Sequence, residues 1–190
     1  MKKILFALIA PVVAVSALAS EPEYIEIRNT PGFEMAVAGG TALQSGYLTR
    51  KDSAFTYGVD LNVLAPKGMF SFSWQGFTVD HDTSEFPLAN NKAVTVRAYS
   101  FLPYVKVYEN KTFSAYAGLG FTQVNLYQDS PEYDVTYGTM MVSGLLRYEL
   151  NHKWSLHYKT NWYDVNQTAN GVKTSLEVWS HLAGVGYRIY

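Results

Sequence analysis

The 190-residue chain contains no cysteine, which excludes disulfides and thiolate metal sites. Charge is scarce: Asp, Glu, Lys and Arg make up 16% of the residues, against about 25% in an ordinary soluble domain. Positive charge has no surplus, because 15 Lys and Arg face 16 Asp and Glu. A broad nucleic-acid footprint is therefore excluded. Beyond residue 20 there is no run of 18 apolar residues, so no transmembrane helix is available.

Aromatic residues are abundant: 15 Tyr, 10 Phe and 4 Trp. Apolar residues reach 48% and are spread with period two. The exception is the start, MKKILFALIAPVVAVSALAS, with two lysines, a short apolar stretch interrupted by Pro11, and the small-residue site Ala17–Ala19. Residues 1–19 read as a secretory signal peptide. Its removal leaves 13 basic against 16 acidic residues, a formal −3. Residues 20–32 read as a periplasmic lead-in and 33–190 as one domain.

Eight alternating segments fill that domain. FTYGVDLNVL (55–64) is the clearest, with Phe55, Tyr57, Val59, Leu61 and Val63 on one face and Thr56, Gly58, Asp60 and Asn62 on the other. The others begin near residues 33, 69, 94, 112, 135, 154 and 175. The phase of 94–108 is ambiguous around Pro103, which predicts a bulge or an early strand end. The links alternate: long polar stretches at 43–54 and 80–93, short turns at 65–68, 109–111 and 151–153, and intermediate loops near 128–134 and 166–174. Short periplasmic turns and longer outer loops are the rhythm of an outer-membrane barrel. The reading is all-β: a closed, eight-stranded, antiparallel, up-and-down transmembrane β-barrel. Apolar rows face lipid and polar rows face a lumen that eight strands leave room only to fill.

Two aromatic girdles are expected at the membrane interfaces. Tyr104, Tyr108, Phe113, Tyr148, Trp154, Tyr187 and Tyr190 belong to the periplasmic one. Phe55, Tyr57, Tyr127, Tyr137, Trp162 and Trp179 belong to the outer one.

The stretches LPYVKVYENKTFSAYAGLGF, VSGLLRYELNHKWSLHYKTNWYDV and AGVGYRI resemble the Ail/OmpX-like small outer-membrane proteins, within the OmpA-like eight-stranded class. The resemblance covers about the last hundred residues by pattern. One departure is visible: Ile189 stands where the family carries its terminal aromatic, and Tyr190 follows. The resemblance implies a location in the outer membrane of a Gram-negative bacterium and adhesion or resistance to host defence. Its implied partners are outer-membrane lipid and lipopolysaccharide, the barrel-insertion machinery, periplasmic chaperones and an extracellular protein reached through loops 43–54 and 80–93. A monomer is expected.

Glu34, Asp60, Arg97, Arg147, Lys159 and Arg188 are predicted to face the lumen as a paired polar network, because an unpaired buried charge is costly. Such a network plugs the barrel; the alternative is a small gated channel. A lipid-A-modifying acyl hydrolase is the third reading, suggested by His157 in HYKTN. HYKTN itself, however, lacks the serine, and Thr160, three residues on, faces the other side of the strand. No catalytic residue, metal site or cofactor is assigned. DHD at 80–82 reads as a solvated loop, and a soluble lipocalin-like barrel is the remaining alternative.

Overall fold

The computed structural model describes residues 31–46, 53–80, 93–129, 132–169 and 172–189. Eight strands run through them: β1 Gly32–Gly46, β2 Ser53–Ala65, β3 Gly68–Asp80, β4 Ala93–Glu109, β5 Phe113–Asp129, β6 Glu132–Glu149, β7 Trp154–Ala169 and β8 Val172–Arg188. Each pairs antiparallel with the next, and β8 returns to β1, so the sheet has no open side. One circuit of paired residues from Ala42 passes Ser180, Asn161, Ser143, Gly118, Tyr104, Met69 and Leu64. It returns to β1 at Gly32, ten residues away. That stagger over eight strands corresponds to a tilt of roughly 40° from the barrel axis.

Alternation decides what each face meets. Phe55 is 71% exposed, Leu61 53% and Phe72 54%, and Phe33, Phe70, Leu119 and Phe121 are exposed as well. Such a belt is tolerable only against hydrocarbon. Aromatic rings bound it. Trp154 packs on Tyr187 at 4.8 Å and Tyr108 on Phe113 at 6.1 Å at the turn-bearing end, where Tyr148 pairs with Phe113. Tyr57 meets Trp74 edge-on at 5.3 Å, and Trp162 lies 6.1 Å from Trp179, at the other end.

Several expectations need correction. Arg97 faces outward, because the inward row of β4 is Val94, Val96, Ala98, Ser100, Leu102 and Tyr104. Its guanidinium lies over the Tyr127 ring at 5.5 Å, beyond the apolar belt, where a cation meets water and headgroups. Tyr104 is not a girdle residue: it is buried, and its hydroxyl lies 2.6 Å from Ser143 Oγ. Its ring rests on Gly118, where a Cβ would approach within 2.7 Å. Tyr137 also points inward and is buried. Tyr190 lies outside the described residues, as do residues 1–30 and 81–82. β4 continues through Pro103, and the register slips later, between Lys106 and Tyr108.

The two intermediate loops are mostly strand. β5 pairs with β6 up to Asp129↔Glu132, and β7 with β8 up to Ala169↔Val172. Polar residues extend a ladder as readily as apolar ones, because the ladder uses only the backbone. β6 and β7, however, pair only from Glu149↔Ser155 to Met141↔Tyr163. Above that point, 132–140 pairs with β5 alone and 164–169 with β8 alone. A side-chain bond, Thr139 Oγ1 donating to the Asp164 carbonyl at 2.5 Å, spans the foot of the cleft.

Leu119 is exposed within the belt, well above Phe113. Leu119→Arg is expected to lower unfolding stability in lipid vesicles by about 2–4 kcal/mol, measured by urea titration.

Candidate functional site

The lumen has two storeys. The lower one is polar and centred on Glu34 of β1. Its carboxylate accepts from Arg147 Nη2 at 2.7 Å, Arg147 Nε at 3.2 Å, Ser155 Oγ at 2.9 Å and Asn62 Nδ2 at 3.2 Å. His157 Nε2 stands 3.2 Å from its other side. Arg147 also pairs with Glu149. Alternation along β6 and β7 supplies this set, since Arg147 and Glu149, and Ser155 and His157, each sit two apart on one strand face.

Higher in the barrel, Lys159 Nζ donates to both Asp60 oxygens at 2.6 and 2.7 Å and to Ser73 Oγ at 3.0 Å. Ser73 donates in turn to Asp60 at 2.5 Å. Ser100 and Thr122 bond at 2.5 Å, and Gln75 accepts from Asn161 and Ser180, both at 3.3 Å. All of these residues are buried, so the charges are matched where water cannot screen them.

Of the six predicted lumen residues, Glu34 meets Arg147, and Asp60 meets Lys159. Arg188 is buried at the lower mouth, and Arg97 lies outside the lumen. Sequence reasoning left out Glu149, Ser155, Asn62 and Ser73. They share the inward phase of predicted residues, and that phase was the signal that points to them.

Above the polar storey the lumen turns apolar. Phe77, Val79, Val96, Val124, Leu126, Val165, Leu176 and Val178 are buried there in one cluster. The expectation of a wholly polar interior is therefore corrected. In an eight-stranded barrel the upper lumen is a packed core, and packing rewards apolar side chains in it as in a soluble protein. Three polar groups stand in or beside this storey without a hydrogen-bond partner among the described residues: the Gln44 and Gln128 amides and the Tyr163 hydroxyl.

Ser155, His157 and Glu34 invite comparison with a hydrolytic triad, and the geometry opposes it. Ser155 Oγ lies 2.9 Å and Glu34 Oε1 3.2 Å from the same ring nitrogen, Nε2. A triad needs the nucleophile and the orienting acid on opposite nitrogens of the histidine. Ser155 Oγ is also bonded to Glu34 itself, and the side chain is fully buried.

Glu34→Leu leaves Arg147 with Glu149 alone and removes the carboxylate beside His157, and is expected to cost about 3–5 kcal/mol of unfolding free energy. Gln128→Leu removes an amide that has no partner among the described residues and is expected to raise stability by about 1–3 kcal/mol. Denaturant titration in the same vesicles reads both.

No family model matches the sequence, and no curated protein does. Solved structures do match. Neisserial surface protein A superposes with a TM-score of 0.61 at 10% identity, over 82% of this chain and 96% of its own. OprG from Pseudomonas aeruginosa gives 0.61 at 14% identity, over 87% and 100%. The N-terminal barrel domain of Pseudomonas aeruginosa OprF gives 0.51 at 10% identity, over 84% and 100%. The architecture expected from the alternating segments and the rhythm of their links is the one found. With its apolar belt, aromatic rings and closed antiparallel sheet, the protein has the eight-stranded β-barrel fold of outer-membrane proteins.

Proposed function

We propose that the protein is a sealed, non-catalytic barrel whose work is done by the hairpins it holds above the membrane. One observation carries this reading: the lumen is filled at two levels, while β6 and β7 part above Met141 and Tyr163. A filled lumen leaves no water path. The parted strands leave two edges, 132–140 and 164–169, along which the β6–β7 ladder does not continue among the described residues. Unpaired edges take up an extended segment of another protein by strand addition. That mode fits a surface-interaction role such as adhesion or protection against host defence. A gated channel is disfavoured by the apolar storey, which rearranged ion pairs below it do not open.

Two measurements test this. In planar bilayers the purified barrel is expected to give no steady discrete openings, and such openings overturn the sealed reading. Cells carrying a variant with the β5–β6 and β7–β8 hairpins cut back to the membrane surface are expected to bind host matrix protein, and to survive serum, no better than cells lacking the protein. Unchanged binding and survival, with the barrel still folded by heat-modifiable gel mobility, overturn the surface role.

A further inference from the structure

The outer wall across β6, β7, β8 and β1 departs from the rest of the apolar belt. Three successive rows of paired residues cross it. The upper row is Val142, Trp162, Trp179 and Leu43. The middle row is Gly144, Thr160, His181 and Thr41. The lower row is Leu146, Tyr158, Ala183 and Gly39. Small and polar side chains in the middle row, under bulky apolar ones, make a shallow diagonal trough with a polar floor. Four strands give it a length of about 14 Å.

The trough is rigidly walled. Trp162 and Trp179 both donate their indole N–H to Glu177 Oε1, at 2.9 and 3.2 Å, which fixes the upper edge. Tyr158 stacks on His181 with ring centroids 6.3 Å apart and planes 18° apart. Its hydroxyl lies 3.1 Å from His181 Nδ1. The other imidazole nitrogen has no partner among the described residues. His181 lies two residues from Trp179 along β8, which sets it only about 5 Å below the outer aromatic ring. An ionisable side chain turned toward lipid at that depth marks a functional site unless its free nitrogen is matched.

We propose that this trough seats the hydroxylated acyl region of one outer-leaflet lipopolysaccharide molecule. Depth selects the leaflet: His181, on the floor of the trough, lies just beneath the outer aromatic ring, where acyl linkages begin. Chemistry selects the lipid. Tyr158 holds Nδ1 as donor or as acceptor, so the second nitrogen takes the opposite role, and Thr41 and Thr160 offer hydroxyls that act as either. A 3-hydroxyacyl chain presents hydroxyls that also serve both roles, whereas a phospholipid ester presents acceptors alone. Gly144 and Ala183 leave room for the chain to lie against the wall.

The test is native mass spectrometry of the full barrel extracted from outer membranes in mild detergent, counting retained lipopolysaccharide. The variants are His181→Leu with Thr160→Val, which removes the polar floor, and Ala183→Leu, which fills the trough; Thr78→Val on β3 is the control. Loss of one to two hydrogen bonds predicts a drop in occupancy of about fivefold or more in the first variant. A comparable drop is expected in the second and none in the control. Retention equal to wild type in either folded variant overturns the assignment. So does complete displacement by added phospholipid without hydroxyacyl chains. A wild-type dimer that both variants lose also overturns it, because the wall then belongs to a second copy of the chain. Heat-modifiable mobility establishes that each variant is folded, and Ala183→Leu carries the test alone if the double variant is not.

Discussion

Hydrocarbon offers no hydrogen bonds, and the rest of the structure follows from that. A sheet crosses lipid only if every backbone N–H and C=O finds its partner in a neighbouring strand, and closure alone gives the first and last strands theirs. Here β1 and β8 meet from Glu34↔Arg188 to Gly46↔Leu176. Once closed, the barrel presents alternate side chains to two opposite solvents. That is why Phe55 and Leu61 are exposed while Glu34 and Asp60 are buried.

The interior resolves a second conflict. Ionised groups inside so narrow a barrel are stable only in matched sets, and the lower storey supplies them with hydroxyl and amide support. Specificity of register follows, because a slip of one residue would place Lys159 in lipid and Tyr158 against Asp60. The upper storey uses ordinary apolar packing and needs no such matching. Stranding Gln44, Gln128 and the Tyr163 hydroxyl there is a local cost that the surrounding packing offsets.

Period-two alternation made most of the fold legible before any coordinates. Strand number, order and facing were readable wherever the two rows differ in polarity, as in 55–64. Reading failed where both rows carry similar residues. Around Arg97 the neighbours Val94, Val96, Tyr99 and Phe101 are apolar on both faces, so nothing in composition marks the inward side. Tyr104 and Tyr137 misled for another reason: a tyrosine suits an interface and a polar-tipped core equally well, and only the seat on Gly118 and the bond to Ser143 distinguish them. The hairpins above the membrane are polar in sequence, and polarity alone does not distinguish an irregular loop from a ladder that uses only the backbone. The Glu34 network was half visible, since charge and phase show which side chains enter the lumen, whereas the stagger of the strands decides which of them meet.

The short ladder between β6 and β7 gives the barrel an uneven mechanical character. Every other seam, including the one that joins the two ends of the chain, has more paired residues in all among the described residues. Under thermal agitation or applied force, separation starts where the fewest backbone bonds must break together, so this wall tears first, from the cell surface downward. Such a tear would run past Tyr163 toward the Arg147–Glu34 cluster, which clamps the two halves of the sheet from within. The ion pairs at the floor are therefore a rivet against unzipping from above.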